Sequence, residues 1–89
     1  MNVLVVEDDV RVANFLDRGL RAEGHTVQVA RTGPEGLEAA RAVWRDARAE
    51  ERVAVVVLDL MLPGMSGLEI CQTLRAEACA LPILMLTAM

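Results

Sequence analysis

The sequence predicts an α/β fold in which helices cover both faces of a doubly wound parallel sheet. Short runs of apolar, β-branched residues alternate along the chain with longer segments in which apolar residues recur at helical spacing. The order is strand–helix, repeated three times and closed by a fourth strand, and such alternation requires crossover connections between parallel strands. Two of the strands are apolar almost throughout, as is typical of strands buried on both faces. The 89 residues, 54% of them hydrophobic, suffice for one small domain.

The first half of the chain predicts two strands and two helices. The strands are Asn2–Val6 and Thr26–Ala30, and both are rich in valine. Between them, Val10–Glu23 has helical periodicity, and Asp9 is suited to cap its N-terminus. The second helix begins around residues 32–34, where a proline occupies the first turn, and runs towards Ala49.

The second half predicts a strand, a helix and a final strand. Val53–Leu58 is apolar throughout and ends in Asp59, and after a Pro-Gly turn Gly67–Glu77 has helical periodicity. Pro82–Leu86 is the fourth strand and ends in Thr87. The three helices are predicted to bury apolar stripes, which consist of Val12, Leu16 and Leu20 in the first, Leu37, Ala40, Trp44 and Ala47 in the second, and Leu68, Cys71 and Leu74 in the third.

Composition argues against several classes of protein. A net charge of −4 and an aromatic content of 2% disfavour direct nucleic-acid binding by this segment, because phosphate backbones attract basic residues and single strands stack on aromatic rings. No apolar run is long enough to span a membrane, and the chain opens in a strand rather than a leader, so no membrane partner is expected. Cys71 and Cys79 lack CxxC spacing and are expected to be reduced, buried or half-buried thiols in a cytoplasmic protein.

Acidic side chains follow two of the predicted strands at the point where each strand ends. Glu7, Asp8 and Asp9 come directly after the first strand, Asp59 follows the third, and Thr87 follows the fourth. In sheets of this kind, ligands bind outside the carboxyl ends of the strands. Carboxylates gathered there raise one another's pKa values unless a cation holds them, and Mg²⁺ or Mn²⁺ suits a site of oxygen ligands. A carboxylate beside such a cation, with a hydroxyl opposite, can accept a phosphoryl group.

A structural interpretation competes with this one at each acid. A single acid after a strand is more often a helix cap or a solvated loop residue, and Asp9 suits the cap of the first helix. The residues alone leave open whether Glu7 or Asp9 would share a metal ion with Asp8.

Three motifs resemble the receiver domain of bacterial two-component response regulators. They are LVVEDD at Leu4–Asp9, DLMLPGMSGLE at Asp59–Glu69 and LPILMLTA at Leu81–Ala88. The second motif is most similar to regulators of the OmpR/PhoB type, and the three occur in the family's order. The resemblance implies a flavodoxin-like fold, one receiver domain over residues 1–89, and a cytoplasmic role in signal transduction that controls a DNA-binding output domain.

The resemblance also implies roles for individual residues. Asp59 would accept the phosphoryl group from the phosphohistidine of a sensor histidine kinase and would contact the metal ion. Asp8 would bind Mg²⁺ directly and Glu7 through a water molecule, with the backbone carbonyl of Met61 as a further ligand; the preference for Glu7 over Asp9 comes from this alignment. Thr87 would hydrogen-bond to a phosphoryl oxygen as the switch residue. The domain is therefore expected to be a phosphoacceptor rather than a metabolic enzyme.

The sequence departs from the family pattern towards its C-terminus. A complete receiver continues with a helix, a fifth strand that bears a lysine and a fifth helix, whereas this sequence reaches Met89 just after the fourth strand and contains no lysine. We therefore expect a receiver fold truncated after its fourth strand, without an effector domain. The fourth strand would be an apolar sheet edge, which favours self-association. The alternative function is a non-switching assembly fragment that pairs through this strand and needs no Mg²⁺.

Overall fold

Strands and helices alternate in the computed structural model, which describes residues 1–86. The strands are β1 (Asn2–Val6), β2 (Thr26–Ala30), β3 (Ala54–Asp59) and β4 (Ile83–Leu86), and the helices are α1 (Val10–Ala22), α2 (Gly33–Glu50) and α3 (Gly67–Ala76). Each bound lies within one residue of its predicted position, and the predicted α/β class is confirmed. None of these helices is both long and apolar enough to cross a membrane within the described part of the chain.

The four strands form one parallel sheet in the order β2-β1-β3-β4. β2 lies on one side of β1, and β3 lies on the other side of β1. Right-handed crossovers in opposite directions put α1 on one face of the sheet and α2 and α3 on the other. The direction reverses between β1 and β3, and the crevice beyond the carboxyl ends of two such strands is where ligands bind in doubly wound sheets.

Each face of the sheet has its own apolar core. The larger core lies between the sheet and the helices α2 and α3, and its fully buried side chains include Leu4, Val6, Val56, Leu58, Ile70 and Leu74. The smaller core lies under α1 and consists of Val3, Val5, Val27 and Val57, with Leu16 and Leu20 packed against it. Consecutive residues of β1 thus enter opposite cores, which explains why its sequence is apolar at nearly every position.

Two of the predicted helix stripes are wrong at one residue each. Val12 is 38% exposed, and Ala13 is buried under α1 in its place. Leu68 is 52% exposed, and Ile70 is buried beneath α3. In both helices the residue wrongly predicted to be buried is the first of its stripe. At the start of each helix, the face that packs on the sheet is therefore rotated slightly from the face that residue spacing predicts.

The predicted cap at Asp9 is confirmed, and the other two helices are capped in the same way. Asp9, Thr32 and Ser66 cap the three helices with side-chain oxygens that accept backbone N–H groups. The stripe predicted for α2 packs on the larger core, where Trp44 is half-buried and lies 5.4 Å from the guanidinium of Arg48. Both cysteines are free thiols, one buried and one half-buried.

Candidate metal centre

Three carboxylates lie together at the carboxyl ends of β1 and β3. Glu7, Asp8 and Asp59 each present one carboxylate oxygen such that all three oxygens lie within 4.8 Å of one another. The strand register accounts for this. Val6 pairs with Leu58, so the residues that follow them, Glu7 and Asp59, lie side by side. The geometry supplies the oxygen-rich donor set that Mg²⁺ and Mn²⁺ prefer.

Glu7 is the most perturbed acid of the group. Its side chain is buried, with the residue only 6% exposed. The pKa of Glu7 is raised to about 7, mainly by burial and to a smaller extent by the neighbouring carboxylates of Asp59 and Asp8. The N–H of Asp9 donates to Glu7 Oε2 at 3.1 Å and acts in the opposite direction. A divalent cation would favour the ionised form of Glu7, so the cluster is suited to bind one.

Asp9 has a different role from the other acids of its run. Its Oδ1 accepts from the backbone N–H groups of Arg11 and Val12, at 2.9 and 3.2 Å, and so caps α1. Of the two residues considered as partners for Asp8, the structure places Glu7 beside Asp8 and Asp59. The metal-binding roles themselves stay a prediction.

The turn after β3 holds the carboxylate of Asp59. The backbone N–H of Met61 donates to Asp59 Oδ1 at 3.3 Å, a contact that the sequence prediction did not include. Met61 was predicted to offer its carbonyl to a metal ion, and that role stays a prediction. Thr87, the predicted switch hydroxyl, lies outside the described residues.

Two glycines allow this turn to pack against the ends of two helices. A Cβ at Gly67, the first residue of α3, would lie 2.2 Å from the carbonyl oxygen of Asp59. A Cβ at Gly33, the first residue of α2, would lie 2.3 Å from the carbonyl oxygen of Met65, and the N–H of Gly33 donates to Pro63 at 3.0 Å. The segment that carries Asp59 is thus packed between α2 and α3 without room for a side chain at either contact.

Arg31 reaches the site although the sequence prediction did not single it out. Its guanidinium Nη2 donates to the carbonyl oxygen of Asp8 at 3.1 Å. The signal that could have found it is positional: Arg31 directly follows β2, just as Asp59 ends β3, so both lie at the same edge of the sheet.

A doubly wound parallel sheet with three acids at its switch point defines an α/β domain that is suited to bind a divalent cation. Residues 3–89 match the response regulator receiver domain family. This chain belongs to that family, and the resemblance seen in the three sequence motifs is confirmed. The chain is therefore a receiver domain of two-component signalling.

Relatives of this chain are bacterial regulators. The chain is 44% identical over 86 residues to the DNA-binding response regulator MtrA of Mycobacterium tuberculosis, a match that covers 97% of this chain and 34% of that protein. It is 40% identical over 87 residues to the uncharacterized transcriptional regulatory protein YkoG of Bacillus subtilis, covering 98% of this chain and 35% of the relative. The chain thus spans about a third of the length of these relatives.

Solved receiver structures share the fold. The response regulator TrrA of Thermotoga maritima, determined in complex with Mg²⁺-BeF, is 29% identical and superimposes with a TM-score of 0.77, covering 99% of this chain and 70% of that one. The chemotaxis protein CheY4 of Vibrio cholerae is 28% identical with a TM-score of 0.74, covering 99% of this chain and 68% of that one. These matches agree with the predicted flavodoxin-like topology.

Proposed function

We propose that this receiver domain accepts a phosphoryl group on Asp59 from the phosphohistidine of a sensor histidine kinase in a Mg²⁺-dependent reaction. In a longer regulator of the MtrA kind, this step would control a DNA-binding output domain in the cytoplasm. The observation that carries the proposal is the group of three carboxylate oxygens within 4.8 Å at the switch point of the sheet. Membership of the receiver family supports it independently.

The donor set fits Mg²⁺, with Mn²⁺ as the alternative ion. Asp8 and Asp59 would hold the ion directly, Glu7 would hold it through water, and the carbonyl of Met61 would complete the protein ligands. The related TrrA was determined with Mg²⁺-BeF, which supports Mg²⁺ as the ion. When bound, Mg²⁺ supplies positive charge that offsets both the crowded carboxylates and the phosphoryl oxygens.

In this proposal Asp59 acts as the nucleophile. One oxygen accepts the N–H of Met61, which orients the carboxylate, and the other oxygen attacks phosphorus. As the new O–P bond forms, the P–N bond of the phosphohistidine breaks and its electron pair returns to the imidazole. Phosphoryl transfer needs mainly positioning and charge compensation, and the turn after β3, which packs closely against α2 and α3, would supply the positioning. Thr87 would then donate a hydrogen bond to the transferred group.

The test is the intact mass of the 89-residue chain after incubation with acetyl phosphate, with and without Mg²⁺. We expect an increase of one phosphoryl group that requires Mg²⁺ and is lost in Asp59→Asn. Asp46→Asn is the matched control, because it makes the same chemical change at an exposed position on α2. An adduct that persists at full level in Asp59→Asn would contradict the assignment of the acceptor.

Assembly through β4 is the second candidate function. β4 is an edge of the sheet among residues 1–86, and Leu84 on this strand is 59% exposed. Such an edge favours strand pairing with a second copy and hence self-association. Since pairing needs no Mg²⁺, a folded chain that gains no phosphoryl group in the mass experiment would favour this function over phosphotransfer.

A further inference from the structure

One peptide unit in the loop between β1 and α1 is hydrogen-bonded at both of its ends. The carbonyl of Asp8 accepts from Arg31 Nη2 at 3.1 Å. The N–H of Asp9, in the same peptide unit, donates to Glu7 Oε2 at 3.1 Å. The peptide is therefore held between a guanidinium on one side and a carboxylate of the acidic group on the other.

We propose that Arg31 is a positioning residue for the acidic site: by fixing the peptide unit between Asp8 and Asp9, it holds the Asp8 carboxylate beside Glu7 and Asp59. This inference rests on the proposed function, in which Asp8 binds Mg²⁺. Arg31 donates this hydrogen bond to the backbone carbonyl of Asp8 and not to its carboxylate. Its contact is to the backbone of the residue that carries the ligand.

The sheet explains why an arginine at this position can reach the loop. β1 and β2 pair in register up to Val6 and Ala30, and the N–H of Glu7 continues the ladder by donating to Ala30 at 3.0 Å. Arg31 therefore emerges beside the start of the loop. The N–H end of this peptide unit bonds to Glu7 in the same segment, whereas the bond from Arg31 links the loop to the end of the neighbouring strand β2.

Charge and positioning predict opposite effects on Mg²⁺ affinity, which makes the proposal testable. Removal of a positive charge near an acidic site, taken alone, strengthens the binding of a divalent cation. Loss of a group that orients a ligand residue weakens binding, by about 10–100-fold where such groups have been removed from metal sites. Arg11 provides the matched control, because its Nε lies 4.0 Å from Asp9 Oδ1 on the same rim while its side chain is 94% exposed.

The experiment measures the Mg²⁺ dissociation constant of the 89-residue chain by isothermal titration calorimetry. We expect Arg31→Ala to weaken binding about 10-fold, at the lower end of that range because the contact is exposed. Arg31→Lys should recover part of the loss, since an ammonium group donates one hydrogen bond to a carbonyl. Arg11→Ala should leave the constant unchanged or make binding tighter. Binding by Arg31→Ala that equals or exceeds that of the unmodified chain would overturn the proposal, as would equal weakening in Arg11→Ala.

A metal-free measurement separates this inference from the proposed function. The hydrogen-exchange rate of the Asp9 amide, followed by NMR, reports how firmly the peptide unit is held. We expect faster exchange in Arg31→Ala, partial restoration in Arg31→Lys and no change in Arg11→Ala. If the unmodified chain binds no Mg²⁺, the proposed function fails and this exchange rate still decides the role of Arg31. An unchanged rate in Arg31→Ala would refute the positioning role whatever the metal does.

Discussion

Replacement of the buried Glu7 by glutamine should stabilise the metal-free protein at neutral and alkaline pH. Folding raises the pKa of Glu7 from 4.5 to about 7, chiefly through burial. Between these values the folded state retains a proton that the unfolded state has lost, so the free energy of unfolding falls as the pH rises from 4.5 to about 7. Glu7→Gln removes this penalty and keeps a side-chain oxygen that can accept the N–H of Asp9.

The magnitude follows from the two pKa values. At about 1.4 kcal/mol for each unit of pH, the full penalty is about 3 kcal/mol. Solvent reaches the cluster through the exposed Asp8, and screening reduces the expected gain at pH 8 to about 1–2 kcal/mol. In a domain of this size each kcal/mol raises the Tm by about 4–8 °C.

The assay is thermal unfolding followed by circular dichroism at about pH 4.5 and about pH 8, without divalent cations. Glu23→Gln is the control, because it makes the same chemical change at an exposed glutamate at the end of α1. The unmodified chain and the control should lose stability between the two pH values, whereas Glu7→Gln should lose much less. The reasoning is refuted if Glu7→Gln is less stable than the unmodified chain at about pH 8, or if it retains the full pH dependence.

Two further substitutions test the packing around the site and the contact between α2 and α3. Gly67→Ala places a Cβ 2.2 Å from the Asp59 carbonyl oxygen and should lower the free energy of unfolding by about 1–3 kcal/mol, measured with urea. Gly19→Ala is the control, because its Cβ meets open space and the higher helix propensity of alanine should stabilise the fold by up to about 1 kcal/mol. Equal stability of both variants would contradict the steric argument. Glu77 accepts two hydrogen bonds from Arg41, which lowers its pKa, so its contribution to stability is present above its usual pKa of 4.5 and is lost as the pH falls. The urea midpoint of Glu77→Gln should therefore lie below that of the unmodified chain at about pH 6, and the gap should narrow as the pH falls below 4.5; a constant gap would count against this assignment.

The sequence was sufficient to predict the architecture because each element has a strong local signal. Valine runs, helix caps and a Pro-Gly turn fix where strands and helices begin, and the buried strand β1 can hardly be placed anywhere but the centre of the sheet. Once β1 and β3 are neighbours, the acids at their ends must meet, so a group of acids around Asp8 and Asp59 was predictable from strand order. The preference for Glu7 over Asp9 came from motif alignment, and the structure places Asp9 in a helix cap instead.

Features that depend on exact geometry were not predictable in this way. The first turn of α1 faces the sheet with Ala13 rather than Val12, because the angle at which a helix leaves its loop is set by packing and not by spacing. The contact of Arg31 with Asp8 depends on the register of two strands far apart in sequence. The hydrogen bond from the Met61 N–H to Asp59 depends on the conformation of the turn after β3, which residue spacing does not determine.

The position of Trp44 decides what the intrinsic fluorescence of this protein can report. The chain contains one tryptophan and no tyrosine, so its emission comes from a single half-buried indole on α2 beside Arg48. α2 begins near the acidic site, and at 1.5 Å per residue Trp44 lies about 16 Å further along the helix. Its quantum yield and emission wavelength should therefore follow the docking of α2 on the sheet, with no quenching by an ion held at Asp8 and Asp59. A change in fluorescence on adding Mg²⁺ would consequently signal that the ion alters the packing of α2 at a distance.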